Sequence, residues 1–384
     1  MRKYASRLTY QRGLPLLLLI LLTLTLSACA SGSGIFSGGS WQKGSLQDQH
    51  LQTLAVDPNQ LRDIYAGDAQ GGVFVSTDAG ATWKQSNSGL SLPLSVATLS
   101  FDIPGKKLYA ATSAGLFVSN NAAGTWSAVA GLPTDSYTTL TFDINSPRTI
   151  YTGTAHSGVY KSGDGGAHWA HISSGLPSSA LTSLLYDSNL KQLWATFANA
   201  LYRSDDQGAS WHAMSNGLPA NAGINALTLG EVTTSNASLL FVGTDHGFFR
   251  STDAGQHWAP GQLKLTNLRV SAVLPDATQP NVVYIATSIG VLRSQDNGQN
   301  WSQFASGLPA NQPISSLAQG SDNNAQLFAT SRGIYAYPGN GGAFNPAQFF
   351  PILLVLCFFG LLYWFFILRR QRLTLKRRRV HIDT

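Results

Sequence analysis

The amino-acid sequence predicts an all-β protein made of repeated four-stranded sheets, and three observations support this prediction. First, a motif of the form Ser-x-Asp-x-Gly-x-Thr-Trp recurs along the chain at intervals of 42–47 residues. Second, short apolar stretches alternate with turn sequences between the motifs. Third, the 384 residues include 38 glycines and 9 tryptophans, whereas only 11% of them are charged. This composition is typical of short strands that are joined by tight turns.

Each repeat divides into four predicted strands, of which the third runs into the motif and the fourth follows its tryptophan. One apolar position marks the innermost strand of every repeat: Leu54, Leu99, Leu140, Leu184, Leu227, Val273 and Leu317. Another marks the second strand: Tyr65, Tyr109, Tyr151, Trp194, Phe241, Tyr284 and Phe328. Within one innermost strand, Ala97, Leu99 and Phe101 alternate with polar residues, which predicts that these three share a face.

The repeated motif has the chemistry of a hairpin turn. A short carboxylate accepts hydrogen bonds from turn N–H groups that lack a partner strand, and glycine supplies backbone angles closed to other residues. The tryptophan then buries a large apolar surface at the start of the next strand. We predict a structural role for the third residue of all six copies: Asp78, Asn121, Asp164, Asp206, Asp253 and Asp296.

This pattern resembles the Asp-box repeat of BNR, or sialidase-type, β-propellers, and the resemblance covers residues 34–337. It implies a propeller in which the boxes are structural and lie away from the ligand site. The second copy departs from the pattern, with Asn121 in place of aspartate and Ala123 in place of glycine.

Seven innermost strands accompany only six motifs, because the last repeat stops after its third strand at Tyr337. The segment Trp41-Gln42-Lys43 is similar to Trp83-Lys84-Gln85, the start of a fourth strand. We therefore predict a seven-bladed propeller that is closed by pairing of its N-terminal and C-terminal strands, which protects the sheet edges. Residues 34–36 also resemble a third strand, so the position of the junction stays open.

The predicted propeller has two faces. We call the side that carries the six motifs the box face, and the side that carries the loops between second and third strands and the segments between blades the linker face. Trp41 and Tyr337 are both predicted to leave on the box face, on short tethers, so we expect this face to look towards a membrane. Candidate binding residues on the outward linker face are Gln70, Tyr137, His156, Asp245, His246, Arg269 and Arg332.

Both ends of the chain predict attachment to a membrane. Residues 1–28 have the basic start and short apolar core of a secretion signal. They lead into Leu26-Ser27-Ala28-Cys29, which resembles the bacterial lipobox and implies lipidation of Cys29; an uncleaved anchor is the alternative. A linker, residues 338–348, precedes residues 349–368, which carry no charge and have the length of a transmembrane helix.

The basic tail, residues 369–384, is predicted to be cytoplasmic by the positive-inside rule. The predicted location is therefore the bacterial cytoplasmic membrane, with an extracytoplasmic propeller. Residues 29–368 carry 14 basic and 18 acidic side chains, which argues against a nucleic-acid partner. No spacing typical of a metal site and no phosphate-binding loop is present, so we expect neither a metal nor another cofactor.

The sequence argues against a sialidase. That family requires an Arg-Ile-Pro motif, which is absent, and a glutamate-activated tyrosine, for which Glu231 is the single glutamate available. A glycosidase with paired carboxylates needs only two suitably spaced acids, so Asp135 and Asp245 stay conceivable. Xyloglucanase-type propellers use aspartates in this way but place two propellers around a cleft. We expect that the protein is not an enzyme.

A rigid propeller presents loops from many blades on one face, which suits recognition and does not by itself dictate a reaction. The lipobox and propeller together resemble the photosystem II assembly factor family, although the C-terminal helix departs from it. The resemblance implies a non-catalytic scaffold that binds a membrane or envelope protein. The alternative is a carbohydrate-binding or glycoside-hydrolase propeller, which aromatic residues and two acids on the linker face would favour. A sensor that signals through the single helix ranks last.

Overall fold

The computed structural model describes residues 40–102, 104–230, 239–263, 268–304, 306–309, 312–320 and 327–337. These residues form 28 strands in seven four-stranded antiparallel sheets. The predicted signal peptide, Cys29, Glu231, the linker, the apolar segment 349–368 and the basic tail lie outside the described residues. In the described ranges, no helix is long and apolar enough to cross a membrane.

Each sheet has the same order of strands from the inside to the outside. The innermost strands are β2 (Leu51–Val56), β6 (Val96–Phe101), β10 (Tyr137–Phe142), β14 (Leu181–Asp187), β18 (Ile224–Leu229), β22 (Val270–Pro275) and β26 (Ser316–Gln319). The second strands are β3 (Ile64–Asp68), β7 (Leu108–Thr112), β11 (Ile150–Thr154), β15 (Gln192–Phe197), β19 (Leu240–Thr244), β23 (Val283–Thr287) and β27 (Leu327–Ser331). All fourteen predicted apolar positions lie in the strands to which they were assigned.

The third and fourth strands complete the sheets. The third strands are β4 (Val73–Ser76), β8 (Gly115–Ser119), β12 (Val159–Ser162), β16 (Ala200–Ser204), β20 (Gly247–Ser251), β24 (Gly290–Ser294) and β28 (Gly333–Tyr337). The fourth strands are β5 (Lys84–Gln85), β9 (Ser127–Ala128), β13 (Ala170–His171), β17 (His212–Ala213), β21 (Ala259–Pro260), β25 (Ser302–Gln303) and β1 (Gln42–Gln47). We number the sheets as blades 1 to 7 in the order of their innermost strands.

The blades form a closed ring. Each innermost strand contacts the innermost strand of the next blade, and β26 of blade 7 contacts β2 of blade 1. The described residues therefore form an all-β, seven-bladed propeller with four-stranded blades, as the sequence predicts. Apolar clusters fill the spaces between neighbouring blades; one of them joins Val75 of blade 1 to Leu108 and Trp126 of blade 2.

Blade 7 combines the two ends of the propeller. Strand β1 pairs antiparallel with β28, with Gln42 opposite Ala336 and Lys43 opposite Tyr335. The N–H of Trp41 donates to the carbonyl of Ser306 at 2.8 Å, and the Trp41 ring packs against Phe304 and Tyr337. The predicted pairing of N-terminal and C-terminal strands is confirmed.

The tryptophans of the six motifs fall into two groups. In the first group, the side chain is buried and its indole N–H donates at 2.8 Å to a carbonyl of the preceding blade: Trp126 to Ser86, Trp211 to Ile172 and Trp258 to Met214. In the second group, the side chain is half-buried and donates to the glycine of its own turn: Trp83 to Gly80, Trp169 to Gly166 and Trp301 to Gly298. The first group therefore links blades, whereas the second closes turns.

A bulge interrupts most of the innermost strands near their first residue. In β6, Val96 pairs with Thr112 and Thr98 pairs with Ala111, so Ala97 is an extra residue between them. Because of this extra residue, Val96 and not Ala97 joins Leu99 and Phe101 in the apolar cluster. The predicted alternation of Ala97 with Leu99 is therefore wrong at that one position.

Candidate binding face and the repeated turns

The six motifs form hydrogen-bonded turns on the box face. In the first turn, the Ser76 hydroxyl donates to Asp78 Oδ1 at 2.7 Å and accepts the N–H of Gly80 at 2.8 Å. Thr82 donates its N–H and its hydroxyl to the two oxygens of Asp78, at 2.8 and 2.5 Å. Ala79 and Gly80 have φ values of 62° and 87°, the left-handed region that glycine tolerates best.

These hydrogen bonds favour the ionised form of the turn aspartates. Bonds from the side chain and backbone of Thr82 and from Ser76 lower the pKa of Asp78 to about 2. Histidine replaces the threonine in two turns, and its Nδ1 lies 2.6 Å from Asp164 in one and 2.7 Å from Asp253 in the other. The carboxylates are thus occupied within their own turns, which agrees with the structural role predicted for them.

Asn121 makes an equivalent set of bonds without a charge. Its Oδ1 accepts the Thr125 N–H and the Ser119 hydroxyl, both at 2.9 Å. Its Nδ2 donates to the Thr125 hydroxyl at 3.0 Å. The turn therefore needs an acceptor at this position and does not need a negative charge.

A second repeated acid lies on the box face, at or just after the end of the innermost strand, and sequence reasoning missed it. Its members are Asp57, Asp102, Asp143, Asp187 and Asp276. Asp57 Oδ1, for example, accepts the N–H groups of Asn59 and Gln60 at 2.7 and 3.2 Å. The signal was an aspartate at the same point of five repeats, directly before a turn sequence.

On the linker face, Asp135 and His156 form one polar cluster. His156 Nδ1 lies 2.9 Å from Asp135 Oδ1, and the N–H groups of Ser136 and Ser157 each donate to the carboxylate at 2.7 Å. Burial favours the protonated form of Asp135. Hydrogen bonds from His156, Ser157 and Ser136 outweigh that effect, so the pKa of Asp135 lies well below its usual range.

The two side chains differ in exposure. Asp135 is 4% exposed, whereas the His156 side chain is 81% exposed. A buried carboxylate therefore holds one ring nitrogen of an imidazole that is otherwise open to solvent. This arrangement fixes the orientation of His156 on the linker face.

A second cluster joins Asn225, Asp245 and Arg269 across blades 5 and 6. Asn225 Nδ2 donates to Asp245 Oδ1 at 2.9 Å, and Arg269 Nη2 donates to Asn225 Oδ1 at 3.2 Å. Arg269 Nε lies 3.5 Å from Asp245 Oδ1. The Arg269 and Asp245 side chains are 61% and 45% exposed, so the cluster presents a charge-balanced polar surface.

Sequence reasoning named Asp245 and Arg269 but missed Asn225. Asn225 is the extra residue of a bulge between Ile224 and Ala226 in β18. A bulge turns a side chain out of the regular alternation, and the sequence of one strand does not reveal that its neighbour lies across a blade boundary.

Three further candidates are exposed in loops between second and third strands: Gln70, His246 and Arg332. The loops belong to blades 1, 5 and 7. Beneath Gln70, the buried Asp68 accepts the N–H groups of Gln70 and Gly71 at 2.8 and 2.6 Å. The predicted set is thus spread around the linker face, and Asp245 and Arg269 are the two described members that contact each other.

The prediction that Tyr137 is a surface binding residue is wrong. Tyr137 is the first residue of β10, is 1% exposed, and packs with Leu116 and Ile150 between blades. Its hydroxyl donates to the carbonyl of Pro133 at 2.9 Å. An aromatic ring at the start of an innermost strand fills the interblade space, because burial of its apolar surface is favourable.

No three His, Cys, Asp or Glu side chains in the described part of the chain are grouped so that they could hold a metal ion. The candidate residues on the linker face form a surface of polar side chains. Asp135 and Asp245, considered above as a catalytic pair, are each engaged by a cationic or imidazole neighbour.

No protein-family model and no curated protein sequence matches the chain. Solved structures match it over the propeller. YCF48 from Cyanidioschyzon merolae is 15% identical, with a TM-score of 0.59, and the match covers 79% of this chain and 100% of that one. A structure of YCF48 bound to D1 peptide is 13% identical, with a TM-score of 0.61 and coverage of 79% and 96%.

The GH74 xyloglucanase from Xanthomonas campestris is 18% identical, with a TM-score of 0.61; the match covers 78% of this chain and 53% of that one. This chain therefore spans about half the length of the xyloglucanase. At these identities the likeness concerns the fold, and the same seven-bladed architecture serves both a peptide-binding protein and an enzyme.

Proposed function

We propose that this protein is a non-catalytic binding scaffold and that its linker face holds a segment of a membrane or envelope protein. The observation that carries the proposal is the cluster of Asn225, Asp245 and Arg269, together with the anchored His156. The side chains of His156, Asp245 and Arg269 are exposed, yet neighbouring groups fix their positions. Polar groups that are already ordered lose little conformational entropy when a partner binds.

The electrostatics of the two acids support binding over acid catalysis. A glycosidase needs one carboxyl group that keeps its proton near neutral pH. The pKa of Asp135 is shifted in the opposite direction, and Asp245 lies beside the guanidinium of Arg269. Both acids are therefore better suited to holding neighbouring side chains in position than to acting as a catalytic acid.

The likeness to YCF48 supports a polypeptide ligand, because that propeller has been seen with a D1 peptide. Only the class of ligand is carried over to this chain, since the identity is 13%. We further propose that the propeller is extracytoplasmic and attached to the membrane through Cys29 and residues 349–368. The lipobox-like sequence and the uncharged stretch support this location.

Affinity capture from mildly cross-linked native membranes tests the binding function. The full-length protein is compared with a linker-face variant, His156→Ala with Arg269→Ala, and with a control, His168→Ala with Lys84→Ala. The control changes exposed side chains away from the linker face. We expect the linker-face variant to recover a specific membrane protein at least about tenfold less well, as loss of one or two interface anchors does. Equal recovery by all three proteins would overturn the proposal.

A glycan-directed function is the second candidate, because the GH74 xyloglucanase shares the fold and two acids lie on the linker face. It predicts binding or hydrolysis of a polysaccharide that is lost in Asp135→Asn and Asp245→Asn. A screen of purified protein against β-glucans separates the two functions. Hydrolysis that depends on both acids would replace the scaffold proposal.

A further inference from the structure

The hairpins between the first and second strands of blades 1 to 4 share an unusual pattern of charge. Each presents an exposed basic side chain on the box face: Arg62, Lys106, Arg148 and Lys191. We call these four hairpins the basic arc. The corresponding hairpin of blade 6, residues 277–282, contains no lysine or arginine. In the sequence, the corresponding segments of blades 5 and 7, residues 230–239 and 320–326, also contain neither, so these basic residues belong to four consecutive blades.

Three of the five acids in the basic arc are buried, and the other two, Asp63 and Asp102, are half-buried. Asp57, Asp143 and Asp187 are 6%, 8% and 1% exposed. Asp57 and Asp143 accept N–H groups of their own hairpins. The charged side chains of these hairpins that are fully exposed are therefore the basic ones. The aspartates of the repeated turns share this face, but those turns join the outer strands and so lie nearer its rim.

The arc also exposes an aliphatic side chain. Ile144 is 59% exposed, four residues before Arg148. The backbone around it is held to the next blade, because the Ile144 N–H donates to Ser188 Oγ at 3.0 Å and Asn145 Nδ2 donates to the Ser188 carbonyl at 2.8 Å. Leu61 and Leu190 are half-buried in neighbouring hairpins. Aliphatic side chains beside basic ones are typical of surfaces that lie at a membrane interface.

The ends of the described propeller leave from the same face. Trp41 and Tyr337 lie together on the box side of blade 7, since β1 begins where β28 ends. In the sequence, 11 residues separate Tyr337 from the uncharged stretch 349–368. Such a segment spans at most roughly 40 Å when fully extended.

We propose that the basic arc contacts anionic phospholipid headgroups, with Ile144 at the level of the headgroups. This inference rests on the membrane attachment in the proposed function. Attraction between a basic side chain and an anionic surface fades within a Debye length, about 8 Å at physiological ionic strength. The short tether supplies the proximity, and the arc then sets which side of the propeller touches the bilayer. The linker face is left open for its partner.

Depth-dependent quenching in proteoliposomes tests this contact. The full chain carries Cys29→Ser and Cys357→Ser, and a polarity-sensitive fluorophore is attached to Ile144→Cys. The matched control is Ile289→Cys, an aliphatic residue that is 47% exposed on the linker face. Vesicles contain phosphatidylcholine alone or with about a third phosphatidylglycerol, each with a small fraction of headgroup-nitroxide lipid.

We expect the label at position 144 to be quenched several-fold more than the label at position 289, and only when phosphatidylglycerol is present. Replacement of Arg62, Lys106, Arg148 and Lys191 by glutamine should reduce quenching at position 144 to the level of the control. Equal quenching at both positions, stronger quenching at position 289, or quenching that ignores lipid charge would overturn the inference. The inference would also be overturned if the label at position 144 became shielded only after a membrane protein extract was added.

The two proposals fail separately. The glutamine variant should still capture its membrane partner, because the partner surface lies on the opposite face. Loss of lipid contact with intact capture would leave the scaffold function standing. Loss of capture in the linker-face variant with intact quenching would support both proposals.

Discussion

At the scale of single residues, the repeated turns show which property of aspartate matters to the fold. Asn121 reproduces the acceptor bonds of Asp78 to the residue four positions later and to the preceding serine. The shared requirement is a short side chain with an oxygen acceptor, because the turn N–H groups have no partner strand. The charge adds to these bonds but is not a condition for the turn.

This comparison predicts a rank order of stability. Asp78→Ala should lower the midpoint of thermal unfolding more than Asp78→Asn, because only the alanine variant leaves the Thr82 N–H without its acceptor. Differential scanning calorimetry of the two variants beside the parent protein measures the order. An asparagine variant as unstable as the alanine variant would show that the charge itself is required.

The residue scale is also where prediction from the sequence was least complete. The sequence identified His156 as a candidate and Asp135 as a conceivable acid, but the two are 21 positions apart and their contact depends on how a blade joins the next. Asn225 was missed because a bulge directs its side chain. Tyr137 was misplaced because an aromatic residue at a strand start can face either solvent or the interblade core.

At the scale of elements, strand identity was predictable and strand detail was not. A fixed position in each repeat marks the innermost and second strands, since apolar residues at constant spacing must fill the same interblade layer. The bulges near the start of the innermost strands leave no such mark. The bulges depend on how the innermost strand hydrogen-bonds to the second strand. The sequence alone therefore predicts an unbroken alternation of buried and exposed side chains, whereas the structure has one extra residue at the bulge.

The two groups of tryptophans predict different contributions to stability. Trp126→Phe removes the buried donor to the Ser86 carbonyl of the preceding blade and should cost about 1–3 kcal/mol in the free energy of unfolding. Trp83→Phe removes a bond within its own half-buried turn and should cost less than about 1 kcal/mol. Urea unfolding of both variants provides the comparison. Equal losses of unfolding free energy in the two variants would mean that a hydrogen bond between blades contributes no more to stability than one within a single turn.

At the scale of the whole molecule, stability should depend on pH through many aspartates at once. The pKa is lowered in the folded protein for Asp78, Asp135, Asp164, Asp206, Asp253, Asp276 and Asp296. An unfolded aspartate has a pKa of about 3.9, so the stabilisation is fully present above that value and is lost as the pH falls towards the folded pKa values. Asp63, whose pKa is raised by burial and by Asp57, acts in the opposite direction.

We therefore expect the free energy of unfolding to fall steadily as the pH is lowered from about 5 to about 2. Urea titrations at closely spaced pH values measure this slope. Asp135→Asn removes one of the contributing groups, so its slope should be shallower than that of the parent protein. A free energy of unfolding that stays constant between about pH 5 and pH 3 would contradict the prediction.

The origin of blade 7 has a consequence for how the protein is made. Its outer strand, β1, is translated first, whereas its other three strands are translated last. A chain that is still being synthesised thus holds β1 without a partner and leaves the ring open. The finished propeller can form only after Tyr337 has emerged, so a late closing step is built into the order of its strands.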